Sequence, residues 1–437
     1  QVGSSAASDV YKRQILDHYN KVFDLPGVSK GAKASAIGII RDDGQYIVHN
    51  DGEEIVNASA KEVTRGFLYD REFENPNLSF SEPDLSLSKD LGKTLLKILA
   101  HENIASREPI YEKYDKQVQG RVSIESGVAD SGVLTPFNST DYPKEIRKVG
   151  IALSTDHNPR YSMISPYWGG VNAVVEAMRN VASVGATPHA ITDCLCYGNP
   201  EKPKQMWEFV EGTRGISDAC NAITLKDNPS YPTPIIAGNV SFYNESKNGP
   251  IPPSPIVSCL GRLKDIDYVL SMDFQSSGSD ILMVGERKDE LGGSIYYQLL
   301  GELGANVPKP DFVEVRSQIF AITDCAEGGL ILSCHDISDG GIATSIAEMT
   351  FRKNIGCLVK IPGDLQDHKI LFSETGGFVI ETKKENTENV IKVFKAHGLH
   401  ASKIGETGGE YIQLNETIKV KVREARHRWE NGLREKL

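Results

Sequence analysis

Several features are scarce in this chain, and each scarcity excludes a class of protein. No apolar run reaches the ~18 residues that a membrane-spanning helix needs. The first residues carry no apolar stretch that could serve as a secretory signal. There is no excess of basic charge: 48 Lys plus Arg stand against 59 Asp plus Glu, for a net charge of −11. General nucleic-acid binding needs basic stripes, so this balance argues against it. A small phosphorylated substrate stays compatible, because a metal ion can bridge carboxylates to phosphates. Cysteine is sparse, with 7 residues and no CxxC pair. An odd number in a long chain reads as free thiols in a reducing compartment. Cys194 and Cys196 flank one leucine, a spacing too tight for the usual zinc clamp, and in a strand both would face one side.

What is present is a globular balance, 39% hydrophobic and 24% charged, over 437 residues. A single core stops growing at roughly 250–300 residues, so at least two domains are expected. The opening QVGSSAASDVYKRQ lacks periodicity and reads as a non-native scar over residues 1–14. Ile15, Leu16, Tyr19 and Phe23 suggest a short helix. ASAIGIIRDDGQYIVHNDGEEIVNAS predicts three short strands, with turns at Asp42-Asp43-Gly44 and Asn50-Asp51-Gly52. Residues 70–90 are rich in Pro, Ser and Asp, as in a linker. An amphipathic helix follows, with Leu91, Leu95, Ile98 and Leu99 as its stripe. Its Gly92-Lys93-Thr94 imitates the end of a P-loop, but Leu87 stands where the motif needs glycine.

From residue 147 the pattern becomes dense α/β. RKVGIALS, PHAITDCLCYG, TPIIAGNVSFYN and PPSPIVSCLGRLK predict strands. GGVNAVVEAMRNVASVGA and KQMWEFVEGTRGISDACNAI predict helices. The pentapeptide AITDC occurs at 190–194, where it reads as strand, and at 321–325, where it reads as helix.

Two strand ends carry unusual chemistry. Asp193 closes an apolar strand before a Tyr-Gly-Asn-Pro turn. Gly238, Asn239 and Ser241 set a glycine, an amide and a hydroxyl at the end of another. Ligands of α/β domains collect at strand carboxyl ends. Carboxylate and amide oxygens are hard donors suited to Mg²⁺, and glycine lets a phosphate approach the backbone. Each residue also has an ordinary role open to it, as a turn or helix cap. A third stretch, His335-Asp336-Ile337-Ser338-Asp339-Gly340-Gly341, reads first as a turn and helix entry, and second as a place where amide N–H groups could meet an anion.

DHNPRYSMISPYWGG, AVVEAMRNVASVGATPHAITDCLCYGNPEKP, IIAGNVSFYNES, LGGSIYYQ and HDISDGGIATSIAE together resemble phosphoribosylformylglycinamidine synthase, subunit PurL, over about 15–437. IASREPIYEKYDKQVQG is similar to that family's central connector. The resemblance implies an α/β (α+β) fold. A PurM-like, ATP-binding N-domain (111–265) would be followed by a PurM-like C-domain (266–437). The tail of another PurM-like C-domain (15–66) and a linker with its helix (67–110) would precede them.

The family converts formylglycinamide ribonucleotide, ATP and glutamine-derived ammonia to formylglycinamidine ribonucleotide, ADP and phosphate in purine biosynthesis. Carried over position by position, Asp193 and Gly238 match ATP contacts, Asn239 a Mg²⁺ ligand, and Ser241 a contact to formylglycinamide ribonucleotide. The family's catalytic histidines match nothing here. They are expected on an N-terminal half that this chain lacks, and His157 is not promoted in their place. PurQ glutaminase, PurS and that N-terminal half are the implied partners, and the cytoplasm the implied location. Two rivals stay open: a non-catalytic nucleotide-binding scaffold half, and another ATP-using relative such as a selenophosphate synthetase-like protein or thiamine-phosphate kinase.

Overall fold

The computed structural model describes residues 2–66, 68–85 and 90–437. Gln1 of the expected scar, and residues 67 and 86–89 of the expected linker with Leu87 among them, lie outside the described residues. The chain divides into two units, Gln1–Asp70 and Arg71–Leu437.

The first unit is small and little buried. Helix α1 (Val2–Asp17) runs across the expected boundary at 14/15 and continues as a π-helical turn, His18–Val22. Ile15, Tyr19 and Phe23 are exposed, so the apolar side chains expected to share a helix face are not buried by it. Two strands follow where three were expected, β1 (Gln45–Asn50) and β2 (Glu53–Ser59), paired antiparallel. Asp51 and Gly52 turn between them with φ of 50° and 86°, the left-handed pair that a two-residue hairpin requires. The run around Ile37, Ile39 and Ile40 forms no regular element and is exposed. It pairs with no strand among the described residues, and an unpaired apolar run gains nothing from extension alone.

The second unit begins with α2 (Leu91–Leu99). Asp90 caps it by accepting from the Lys93 N–H at 3.0 Å. Leu91, Leu95, Ile98 and Leu99 are buried as the periodicity predicts. Gly92 lies inside this helix, so the P-loop resemblance has no loop behind it.

A six-stranded sheet comes next, built from β3 (Val122–Ile124), β4 (Gly132–Leu134), β5 (Gly150–Asp156), β6 (Thr187–Cys196), β7 (Ile235–Ser241) and β8 (Ser254–Leu263). Its spatial order is β3-β4-β5-β8-β6-β7. All neighbours are antiparallel except β6 and β7, which run parallel around the crossover helix α4 (Pro203–Ala222). Helix α3 (Pro166–Ser183) joins β5 to β6, and its Ser165 cap accepts from the Trp168 N–H.

A second sheet has seven strands: β9 (Asp280–Val284), β10 (Ser333–Ile337), β11 (Cys357–Val359), β12 (Gly377–Thr382), β13 (Ala401–Thr407), β14 (Tyr411–Leu414) and β15 (Ile418–Lys421). Their order is β10-β12-β9-β13-β11-β14-β15. Helices α5 (Phe312–Glu327), α6 (Gly341–Met349), α7 (Thr387–Ala396) and α8 (Val422–Asn431) accompany it. The first AITDC lies in β6 and the second in α5, as expected. One hydrophobic core joins α3 and α4 to both sheets through Met178, Ile191, Val257, Ile322 and Ile380. A second gathers α2, α6 and α8 with Leu371, Phe372 and Ile412.

Helix α3 positions the chemistry. It contacts β5, β8, β10 and α5. A helix packed on several sides should be apolar all round, yet Glu176, Arg179 and Asn180 of α3 are buried.

Candidate functional site

The strand ends meet in register. Across the parallel β6/β7 pair, Asp193 stands opposite Gly238, Cys194 opposite Asn239, and Cys196 opposite Ser241. Backbone bonds extend the tie beyond the strands. The Tyr197 N–H donates to the Ser241 carbonyl at 2.9 Å, and the Asn244 N–H to the Tyr197 carbonyl at 3.2 Å. Tyr243 takes a φ of 60°, uncommon for an aromatic residue.

Alternation separates the four sequence-predicted residues into two faces. Asp193 shares the helix-covered face with Ile191 and Leu195. Its carboxylate folds over Gly238, where an added Cβ would lie 2.6 Å from Oδ1. Burial raises the Asp193 carboxyl above its ordinary value, and the Asn239 backbone amide opposes this. Asn239 and Ser241 point to the open face. The Asn239 side chain reaches the Cys194 Sγ at 3.8 Å, and Ser241 Oγ lies 3.3 Å from Asn244 Oδ1. One amide oxygen and one hydroxyl are too few for Mg²⁺ by themselves. They fit as the protein's share around an ion that keeps waters and substrate phosphates.

A second constellation lies where α3 faces β10. Asp156 ends β5, Glu176 and Asn180 come from α3, Asp336 from β10, and Asp339 from the turn before α6. Asn180 donates to Asp156 at 2.9 Å and Asn158 to Asp339 at 3.1 Å. Burial, and then the neighbouring carboxylates, hold Asp156 and Glu176 well above the usual range. Asp336 is pushed up to about 7, by burial and by Asp130, and Asp339 to about 6 by burial. Arg179 approaches Asp336 Oδ2 only at 3.9 Å, and that oxygen accepts no hydrogen bond.

His335 sits between Asp130 (Nδ1, 2.7 Å) and Glu348 (Nε2, 3.1 Å). Burial works against its proton, but Asp130 and Glu348 outweigh burial and hold the imidazole well above its ordinary value. Asp130, His335 and Asp336 bring three potential ligand atoms within 4.8 Å of one another. Acids gathered out of water either hold a proton, as the raised carboxyls here do, or gain a compensating cation, and carboxylates of this kind suit a hard one.

The anion reading of Asp339-Gly340-Gly341 meets a different occupant. The Gly340 N–H donates to Glu374 at 2.7 Å and the Gly341 N–H to the Ser338 carbonyl at 2.9 Å. Both amides are therefore satisfied from within the chain. Their φ values, 79° and 71°, explain the two glycines. His157, not promoted from sequence, is half-buried with both ring nitrogens buried and without a hydrogen-bond partner, and burial lowers it to about 4.

Comparison with known proteins decides the family. The N-terminal domain of the AIR synthase related proteins matches residues 130–263, and their C-terminal domain matches 276–414. The chain belongs to this family. Within it, sequence kinship lies with phosphoribosylformylglycinamidine synthase subunit PurL. The PurL of Methanothrix thermoacetophila is 43% identical over 97% of this chain and 55% of its own length. The chain thus spans about half the length of the curated relatives it matches. Among solved structures, Thermotoga maritima PurL complexed with FGAR superposes with a TM-score of 0.59 at 18% identity, over 76% of this chain and 53% of that one. The same protein complexed with ATP gives 0.54 at 18% identity, over 76% and 51%.

The AIR synthase related N-terminal domain begins at Asp130 and ends with β8, so it contains the strand-end quartet and the acids of β5 and α3. The C-terminal domain supplies His335, Asp336 and Asp339. Sequence reasoning missed Asp130, Asp156, Glu176, Arg179 and Asn180. A signal existed in the Glu176-x-x-x-Asn180 spacing, which places both on one side of a helix that should be apolar.

Proposed function

We propose that this chain forms one wall of an ATP-dependent phosphoribosylformylglycinamidine synthase, a C–N ligase of purine biosynthesis. In that reaction ATP phosphorylates the amide oxygen of formylglycinamide ribonucleotide, and ammonia then displaces phosphate. Asp193 and the bare backbone at Gly238 receive the nucleotide, Asn239 the Mg²⁺-bound phosphates, and Ser241 the ribonucleotide substrate. Mg²⁺, when bound, neutralises phosphate charge. The protein contributes position and fixed dipoles, the main levers in phosphoryl transfer. We assign no catalytic acid or base to this chain. The domain limits at 110/111 and 265/266, a cytoplasmic location, and partnership with PurQ, PurS and an N-terminal half belong to the same reading.

The observation that carries it is the β6/β7 register, which pairs Asp193 with Gly238 on one face of two neighbouring strands and sets Asn239 and Ser241 on the other. Asn239→Ala tests it. A ligand or hydrogen bond to a charged group is worth about 1.5–3 kcal/mol, so Mg–ATP affinity, or turnover in a full-length context, should fall roughly 10- to 100-fold. Unchanged magnesium dependence would remove Asn239 from the site. Asp193→Asn should keep the fold and lose nucleotide affinity. A lowered Tm with binding intact would make Asp193 a structural residue instead.

The crowded acids, with Asp336 Oδ2 accepting no hydrogen bond, favour a second reading, a non-catalytic half that holds its own divalent cation with a structural nucleotide. Mg²⁺ should then raise the Tm of the isolated chain, and Asp336→Asn should abolish that rise. A Tm indifferent to Mg²⁺ in the wild type would dismiss it.

A further inference from the structure

The two half-exposed cysteines of β6 have no part in the reading above. Residues two apart in a strand share a face, and Cys194 Sγ and Cys196 Sγ lie 3.8 Å apart. A tetrahedral thiolate site has metal–sulfur bonds of ~2.3 Å, which places two sulfurs about 3.8 Å apart. The pair already stands at the bite of a chelate, with no backbone movement required.

The neighbouring strand adds donors. Asn239 lies opposite Cys194, and its side-chain amide is 3.8 Å from the Cys194 sulfur; a half-turn of that amide presents oxygen instead of nitrogen. Ser241 lies opposite Cys196. The other five cysteines are buried.

We propose that Cys194 and Cys196 form a two-thiol chelate for a soft divalent cation, Zn²⁺ or Cd²⁺, on the open face of β6, with water filling the remaining positions and Asn239 or Ser241 able to replace it only when the nucleotide and substrate are absent. Two S–H bonds break, two S–metal bonds form, and two protons pass to solvent. No electrons move, so no oxidant is needed. The spacing that defeats a four-cysteine clamp suits this smaller site, because the strand pleat rather than a loop sets the bite. Thiolates select soft cations and leave Mg²⁺ to oxygen donors, so the site is chemically separate from the carboxylates around Asp336.

The reduced, metal-free 437-residue chain would be titrated with Cd²⁺ while thiolate-to-cadmium charge-transfer absorption is followed in the ultraviolet. The band should saturate at one cadmium per chain, yield to Zn²⁺ and ignore excess Mg²⁺. Cys194→Ser and Cys196→Ser should each weaken it about 100-fold or more, since even a partner outside the coordination shell is worth 10- to 100-fold. On the unaltered chain, Cd²⁺ should protect Cys194 and Cys196 together from alkylation, read by peptide mass. A folded wild type without the band, an unchanged midpoint in either variant, or alkylation of both cysteines at saturating Cd²⁺ would overturn the proposal.

Discussion

Glu374 shows how a single buried carboxyl can tie the fold to pH. One oxygen accepts from the Gly340 and Ile295 amides, and the other from the Tyr161 hydroxyl. Burial, followed by the charge of Asp339, raises this carboxyl to about 8. The unfolded chain would titrate near the model-peptide value of ~4.3. Between those two values the native state holds a proton that the unfolded state has released. Stability is therefore highest at the acid end of that window and falls as pH rises through it, by up to about 1.4 kcal/mol per pH unit from this group. Glu374→Gln mimics the protonated form and keeps acceptors for both amides. Thermal melts from pH 5 to pH 9 should show the wild type losing stability toward the alkaline end and the variant losing markedly less. Equal slopes would mean that Glu374 titrates normally.

Among the elements, α3 and α4 approach backbone to backbone. A Cβ on Gly170 would lie 2.2 Å from the Gly212 carbonyl oxygen, and one on Gly215 would lie 2.1 Å from that of Tyr167. Backbone oxygens cannot swing aside as a side-chain tip can, so the helices would have to part. Gly215→Ala should cost about 1–3 kcal/mol, seen as a lower urea midpoint with the m-value unchanged. Gly132→Ala, with no atom within 4 Å of the added carbon, should be close to neutral and serves as control. Such contacts were not legible beforehand, although the helices themselves were, because their apolar spacing is local. The strand ends were legible for the same reason: Asp193 and the Gly238–Ser241 run each announce themselves within a few residues. The carboxylate cluster was not. Asp156, Glu176 and Asp336 come from β5, α3 and β10, and only the insertion of α3 between two sheets brings them together. Their high pKa values belong to that arrangement, not to any stretch of sequence. The run around Ile37 failed in the opposite way, since its composition suits a strand but no described neighbour pairs with it.

At the scale of the molecule, the first sheet has one face under helices and one open. Ile151, Leu153 and Thr155 of β5 alternate with the buried Ala152 and Ser154, and Leu260 of β8 lies opposite Leu153. Leu134, Leu153 and Leu260 are 45%, 52% and 37% exposed. Contiguous apolar surface of this kind favours association. Asn239 and Ser241 open onto the same face, so the proposed magnesium–phosphate and substrate contacts would be completed from outside this sheet. The curated relative is only 55% covered by this chain, and on the function proposed above the acid–base histidines would lie in the part not matched. The purified chain should therefore elute as an oligomer, and should form no formylglycinamidine ribonucleotide from formylglycinamide ribonucleotide, ATP, Mg²⁺ and free ammonia. Supplying the N-terminal half of a relative in trans should reduce self-association and restore turnover. Steady-state product formation by the chain alone, above a control without enzyme, would place the catalytic residues within these 437 residues and overturn the assignment of one wall of the site to this chain.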